Sequence, residues 1–363
     1  MKPMRIVIAG GGTGGHLYPG IAVARELLRR EPQALISFAG TARGIEVRVV
    51  PRERFELDML RSTGLKGKSL MAFVRGLLLL PLSAIDAWRI ISRRSPGLVI
   101  GVGGYSSGPV VLMAALRGVP TLLLEQNAVP GLTNRLLARI VSAAAVTFES
   151  TTSFFGRRAF VAGNPVRPEF LSENLSPAIR PPGPARILIV GGSQGSHAIN
   201  VAMVEAAPKL AAHPGGLAIT HQTGERDLEL VSDGYSRAGL EARVEPFLFA
   251  MDREVGAADL VICRAGATTL AELTAAGRPS VLIPLPTAAD DHQRKNAEVL
   301  AAAGAAELLE QKRMTGALLA ERITALIGDE ARLTAMAVAA RRLARPDAAM
   351  VIADKAFELV RRS

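Results

Sequence analysis

Apolar residues along this chain fall into two alternating kinds of run. Short stretches rich in Ile, Val, Leu and Ala are of strand length and are bounded by Gly, Pro or Asp. Between them lie longer stretches whose apolar positions recur at helical spacing. The pattern predicts strands over 5–9, 34–39, 98–101, 120–125 and 144–148, then over 186–190, 216–221, 242–247, 260–263 and 280–284, with a helix over 20–30 and an amphipathic helix over 348–362. Strands alternating with helices imply α/β layers built on parallel, doubly wound sheets.

One segment occurs twice. Arg5-Ile-Val-Ile-Ala-Gly-Gly-Gly-Thr-Gly-Gly-His16 and Arg186-Ile-Leu-Ile-Val-Gly-Gly-Ser-Gln-Gly-Ser-His197 each run from an apolar strand into a glycine turn and then a helix. Such a turn lets backbone N–H groups and a helix N-terminus face an anion. Two turns a domain's length apart predict two nucleotide-fold domains, with two ligands meeting in a cleft between them. The length of 363 residues agrees, since a single core seldom grows that large. The Pro-rich stretches 163–168 and 177–184 mark the linker, so the expected domains are 1–167 and 168–344. The segment 345–363 is expected to join the first, although its pattern fits either.

Composition narrows the reading. With 49% hydrophobic and 21% charged residues the chain is globular rather than disordered. Cys263 is the only cysteine, so no internal disulfide forms, and its place at the end of an apolar run reads as core rather than nucleophile. A formal charge of +10 favours anionic partners, but no array of basic and aromatic residues points to nucleic acid. The N-terminus runs into a strand without a signal-peptide pattern, which predicts a protein kept inside the cell. Between 66 and 94 the run Leu70 to Ile85, with Trp88, Ile90 and Ile91, is flanked or interrupted by Lys66, Lys68, Arg75, Arg89, Arg93 and Arg94. Its uncharged part, 76–85, is too short to span a bilayer. It reads either as a core helix with a basic outer face or as a surface that lies on anionic lipid.

Candidate chemistry gathers after the strands. Gly10 to Gly15 satisfies a dinucleotide fingerprint, but the second strand ends Phe38-Ala39-Gly40-Thr41 without the acidic residue that would hold a ribose, which disfavours NAD. Gly67-Lys68-Ser69 lacks a Walker loop's leading glycine, position 62 being serine. His16 starts the helix after the first turn, as His197 does after the second, and is a candidate general base. Gly101-Val-Gly-Gly-Tyr-Ser-Ser-Gly108 is a further phosphate-cradle candidate, and Glu125-Gln126-Asn127 closes a strand of near-continuous Leu. Arg264 to Glu272 opens a helix with small residues, and Glu272 is placed to accept two ribose hydroxyls. Asp290 and Asp291 read as helix-capping residues. His213, His221 and His292 lack metal-ligand spacing, so no metal requirement is indicated.

Taken together, Gly11-Gly-Thr-Gly-Gly-His16, Gly103-Gly-Tyr-Ser-Ser-Gly108, Glu125-Gln-Asn127, Gly163-Asn-Pro-Val-Arg167, Gly191-Gly-Ser-Gln-Gly195, Arg264-Ala-Gly-Ala-Thr-Thr269 with Glu272, and Asp291-His-Gln293 closely resemble the MurG family. That family comprises the peptidoglycan N-acetylglucosaminyltransferases acting on lipid I. The resemblance covers nearly the whole chain and is weakest over 50–60, across the linker and after 305. It implies a GT-B fold of two Rossmann-like domains, an N-terminal one for acceptor and membrane and a C-terminal one for the donor UDP-N-acetylglucosamine. It further implies inverting transfer to the 4-hydroxyl of N-acetylmuramic acid in undecaprenyl-linked lipid I, with no cofactor or metal. Donor contacts would fall on Thr13, Gly14, Gly15, Asn127, Arg167, Ser193, Leu248, Ala267, Thr268, Thr269, Leu270, Ala271, Glu272 and Gln293, with Arg264 stabilising the departing UDP. Ser193 would take the diphosphate, Glu272 the ribose and Gln293 the sugar hydroxyls, while either His16 or Glu125 serves as base. The first and third glycine clusters would cradle the acceptor diphosphate. An anionic membrane surface, bound through 66–94 on the cytoplasmic face, and other cell-wall synthesis proteins are the implied partners. Two readings compete: another GT-B enzyme, such as a natural-product glycosyltransferase or a UDP-N-acetylglucosamine epimerase, and a non-catalytic scaffold that binds nucleotide sugars.

Overall fold

The structure, a computed structural model, describes residues 3–42, 44–62, 70–171, 183–192 and 194–362, without the side chains of 70–78 and 80. Lys66, Lys68 and Ser193 lie outside the described residues, as do 177–182 of the expected linker. The chain forms two units, Met1–Arg167 with Arg345–Ser363, and Pro168–Ala344.

The first unit runs β1 (Arg5–Ala9), α1 (Gly14–Arg30), β2 (Leu35–Gly40), α2 (Glu46–Arg52), β3 (Glu56–Met59), α3 (Leu70–Arg94), β4 (Leu98–Gly101), α4 (Ser107–Leu116), β5 (Thr121–Glu125), α5 (Leu132–Leu137), β6 (Ala143–Val146), α6 (Thr152–Phe155) and β7 (Ala159–Val161). Its sheet is parallel, in the order β3-β2-β1-β4-β5-β6-β7. Helices cover both faces, so the central strands are apolar throughout rather than alternating. Ile6, Ile8 and Ile100 pack with Leu17 and Leu27 of α1 on one face, and Val7, Val99 and Leu123 with Ile91 of α3 and Val111 of α4 on the other.

The second unit runs β8 (Ala185–Val190), α7 (His197–Ala211), β9 (Leu217–Gln222), α8 (Leu228–Ala238), β10 (Ala242–Glu245), α9 (Met251–Ala257), β11 (Leu260–Cys263), α10 (Ala267–Ala276), β12 (Ser280–Leu282), α11 (His292–Ala302), β13 (Ala306–Leu308), α12 (Gly316–Ile327) and α13 (Glu330–Leu343). Its parallel sheet repeats the order, β10-β9-β8-β11-β12-β13. The final helix, α14 (Ala348–Arg362), returns to the first unit, where Ile352, Ala353, Ala356 and Leu359 complete the core face that holds α1.

In each sheet the strand order reverses beside the first strand, between β1 and β4 and between β8 and β11. Ligands of open α/β sheets bind outside the carboxyl ends of the strands at such a reversal. Both repeated glycine turns stand there. Cys263 is buried at the end of β11, where burial above all pushes its thiol up to about 12, as a core cysteine requires. Helix α1 starts at Gly14, six residues before the periodic apolar pattern, because its first turn is built from glycines and His16.

Candidate functional site

In the first unit the loops after β1, β4 and β5 converge. The β1 turn wraps a carboxylate: Glu46, fully buried, accepts from the Gly12 N–H at 2.8 Å, the Thr41 N–H at 2.9 Å and the Thr41 hydroxyl at 3.1 Å. Gly11 sits so close that a Cβ there would stand 2.6 Å from the Glu46 carboxyl carbon, and its φ of +150° suits only glycine. The Gly12 amide is thus committed to the protein, so any anion contact from this turn falls further along, at the start of α1. There His16 lies half-buried, its Nδ1 3.2 Å from the Thr13 hydroxyl. A Cβ on Gly103, in the β4 loop, would stand 2.8 Å from the His16 ring, so glycine at 103 makes room for the imidazole. Gln126 ties the β5 loop to the β4 loop by donating to the Val102 carbonyl at 3.0 Å. Arg167 is drawn to the start of α1 by its guanidinium, 5.6 Å above the Tyr18 ring.

Glu125, the other candidate base, is 2% exposed. One carboxylate oxygen accepts from the Asn127 N–H at 3.0 Å and the Asn127 amide at 3.4 Å, the other from the Gly131 N–H at 3.1 Å and the Asn134 amide at 2.9 Å. Burial pushes its titration above the ordinary carboxylate range against those four bonds. Both oxygens face the residue's own loop.

The second unit builds its turn differently. Gly195, at φ +75°, lies so near the loop after β9 that a Cβ would fall 1.7 Å from the Thr223 carbonyl oxygen. Gln222, at the end of β9, donates to the Gly192 carbonyl at 2.8 Å and accepts from the Leu248 N–H at 2.8 Å. It thereby locks the turn to the residue expected to meet the donor. Arg264 binds the Ile283 and Pro284 carbonyls at 3.1 and 3.2 Å, the Ser196 hydroxyl at 2.6 Å and the Gln311 amide oxygen at 2.7 Å. Those acceptors are all neutral, and burial pulls its titration below the usual guanidinium range. A positive charge is therefore fixed at the foot of the glycine turn, beside the N-terminus of α7.

Helix α10 begins at Ala267 behind Gly266, with Ala267, Thr268, Thr269 and Ala271 partly exposed and Leu270 buried. Glu272, in the second turn of α10, is 8% exposed. Gln293, in the first turn of α11, accepts from the Leu285 N–H at 3.0 Å. Asp290 and Asp291 adopt left-handed φ values, 53° and 55°. The expected side-chain capping does not occur at Asp291, the residue before α11, whose carboxylate pairs with Arg294 instead. Among the described residues no cluster of His, Cys, Asp or Glu is arranged to hold a metal ion.

Sequence reasoning missed a polar network that runs inward from beneath the second turn. His197 Nδ1 lies 3.0 Å from the Asp227 carboxylate, which also accepts from the Asn200 amide at 2.9 Å. Asn200 Oδ1 lies 3.0 Å from His221 Nε2, and His221 Nδ1 lies 2.7 Å from the Tyr235 hydroxyl. With the Asn200 NH2 donating to Asp227 and to the Thr223 carbonyl, its oxygen must accept, so His221 carries its proton on Nε2 and Tyr235 donates to Nδ1. Burial pulls the His221 titration down to about 3. An unfolded imidazole titrates near 6.5, so between about pH 6.5 and 3 only the unfolded chain takes up this proton. This contribution to stability is complete above pH 6.5 and should fall with pH below it, by up to about 1.4 kcal/mol per pH unit. Denaturant melts at pH 7.5 and pH 5 should show the loss, and His221→Asn should make the dependence shallower.

Residues 6–146 match the glycosyltransferase family 28 N-terminal domain, and residues 186–352 its C-terminal domain. The UDP-N-acetylglucosamine–N-acetylmuramyl-(pentapeptide) pyrophosphoryl-undecaprenol N-acetylglucosamine transferase of Anaeromyxobacter sp. (strain Fw109-5) is 48% identical over 360 residues, covering 99% of this chain and 94% of its own. The enzyme of the same name from Myxococcus xanthus (strain DK1622) is 44% identical, covering 98% and 93%. The crystal structure of Acinetobacter baumannii MurG superposes with a TM-score of 0.82 at 33% identity, over 98% of this chain and all of that one. The chain belongs to the MurG family. As a MurG-family protein it has the GT-B fold and is a UDP-sugar glycosyltransferase.

Proposed function

We propose that this MurG-family chain transfers N-acetylglucosamine from UDP-N-acetylglucosamine to the 4-hydroxyl of N-acetylmuramic acid in lipid I. The products are lipid II and UDP, and the reaction is an inverting displacement that needs no metal. The observation that carries the reading is near full-length identity of 48% to an enzyme named for that transfer. The first unit with α14 holds the acceptor, and the second holds the donor. The His16 imidazole, Nδ1 toward Thr13, takes the acceptor proton on Nε2 as the acceptor oxygen bonds to the sugar's C1. The bond from C1 to the β-phosphate oxygen breaks, leaving its electron pair on UDP. Glu125, saturated by its own loop, shapes the β5 loop rather than moving protons.

Charge on the departing diphosphate is met by the N-termini of α7 and α10, by Arg264 and by Ser193, without a metal ion. Glu272 holds the ribose hydroxyls. The Gln293 oxygen is already engaged by Leu285, so its NH2 meets the sugar. Leu248 has given its N–H to Gln222 and contacts the donor through its carbonyl. Thr13, Gly14, Gly15, Asn127 and Arg167 complete the donor contacts by resemblance to the family. Incubation with UDP-N-acetylglucosamine and a short-chain lipid I analogue should release UDP and disaccharide in equal amounts. UDP-N-acetylmannosamine formed without acceptor would instead mark an epimerase, and donor binding without any turnover a scaffold.

The enzyme works peripherally at the cytoplasmic face of the plasma membrane, in cell-wall synthesis that sustains cell shape and division. No helix among the described residues is long and apolar enough to cross a membrane. Leu82, Ile85 and Trp88 of α3 and Leu112 and Leu116 of α4 are exposed, and Arg117 stacks 4.6 Å from the Trp88 ring centre. Apolar side chains rimmed by arginine suit an anionic lipid surface. Leu79→Glu with Trp88→Glu should abolish flotation with vesicles containing anionic lipid while turnover on a soluble acceptor persists. Undiminished flotation would remove residues 66–94 as the anchor.

A further inference from the structure

The helix that follows each glycine turn carries in its first turn a histidine whose Nδ1 is anchored, but the two anchors differ in kind. His16 is anchored by the neutral Thr13 hydroxyl, His197 by the Asp227 carboxylate, both of whose oxygens lie within 3.1 Å of Nδ1. Asp227 is itself held: it is 6% exposed, accepts from Asn200, and stands on the loop after β9 into which Gly195 of the turn is pressed. Desolvation works against its charge, yet the Asn200 and His197 hydrogen bonds prevail and hold its carboxyl below the usual range. The acceptor-only carboxylate fixes the tautomer of its partner, so His197 donates from Nδ1. The imidazole is otherwise open, with 56% of its side chain exposed at the mouth of the turn. Asp227 faces it from the β9 loop, with the Arg226 guanidinium 4.0 Å from the Asp227 carboxylate, while Arg264 reaches the adjacent Ser196.

We propose that His197, held by Asp227, hydrogen-bonds the donor's diphosphate through Nε2 and follows its charge as the sugar leaves. The inference rests on the reading that the second unit holds the UDP sugar. The Asp227 carboxylate on one side and the diphosphate on the other favour the imidazolium, which takes its second proton from solvent as the donor binds; Nδ1–H keeps the Asp227 bond while Nε2–H donates to the diphosphate. In the bond-breaking step the electron pair released from C1 settles on the β-phosphate oxygen, and the Nε2–H bond to the diphosphate strengthens as that charge appears. No covalent bond to the protein forms. His197 thus complements His16, one serving the group that departs and the other the group that attacks.

The test uses the geometry of amide side chains in the full-length chain. In His197→Asn the side-chain NH2 stands where Nδ1 stood, keeping the Asp227 bond and leaving nothing at Nε2. His197→Gln places its NH2 near Nε2. His197→Asn should melt close to the wild type, bind UDP about tenfold or more weakly by calorimetry, and lose kcat by at least as much. Binding of uridine, which has no phosphates, should stay unchanged. His197→Gln should recover part of the UDP affinity. Wild-type UDP affinity and kcat in a folded His197→Asn would overturn the proposal and reduce His197 to a tie between α7 and the β9 loop. Should His197→Asn not fold, UDP affinity in His197→Gln no better than in His197→Ala would overturn it equally. A wild-type chain that binds no UDP at all would overturn the donor-site reading itself, which separates the two failures.

Discussion

Replacing His16 by alanine is expected to lower kcat by about 10²- to 10⁴-fold, the range over which a positioned general base acts. UDP affinity and melting temperature should change little. His16 lies half-buried on a solvent-facing helix start, and the Gly103 backbone beside it has no side chain that would fall into the space left. The rival base gives the control. In Glu125→Gln one carboxylate oxygen becomes an NH2 that must face existing donors, the Gly131 N–H and Asn134 amide or the two groups of Asn127. Such a mismatch in a buried site costs about 1–3 kcal/mol. Glu125→Gln should therefore melt earlier while its folded fraction turns over within a few-fold of wild type. Loss of turnover in Glu125→Gln without loss of stability, alongside an active His16→Ala, would exchange the two roles.

Glu272→Ala should act on the donor instead. A carboxylate accepting from two ribose hydroxyls makes charge-assisted bonds, and losing both should weaken UDP binding by about 10²- to 10³-fold. The loss should appear mainly as a raised donor KM. Ligand substitution isolates the contact: the wild type should bind 2′-deoxy-UDP more weakly than UDP, and Glu272→Ala should bind the two alike. Equal discrimination by both proteins would place the ribose elsewhere.

The glycine turns and the strands that lead into them were legible because each rests on a local constraint. An apolar run buried on both faces must be nearly continuous, and a backbone approach as close as that of Gly195 to Thr223 admits no other residue. The strands that escaped notice, β3, β7 and β13, are all sheet edges. They are three or four residues long and interrupted by polar or small side chains, since an edge is half exposed and need not read as apolar. The amphipathic pattern of α14 announced a helix but not its partner, because any apolar groove satisfies it. The polar supports were hidden for a further reason. Glu46 meets Gly12 across 34 positions, Gln222 meets Gly192 across 30, and Asp227 meets His197 across 30, so only the fold brings them together. The same supports refine the site: Glu46 occupies an amide that the first turn was expected to offer to an anion, and Gln222 occupies the Leu248 amide. The site's chemistry is legible where a residue type is locally improbable, and silent where an ordinary Gln, Glu or Asp is recruited from afar.

We propose that fixed protein charge alone disperses the charge of the departing diphosphate during direct displacement at the anomeric carbon. Proton NMR of the reaction with UDP-N-acetylglucosamine and a lipid I analogue, run in excess EDTA, tests it most directly. Undiminished turnover and a β-linked disaccharide, inverted from the α-configured donor, are the expected result. Turnover restored only by magnesium, or an α-linked product, would contradict it.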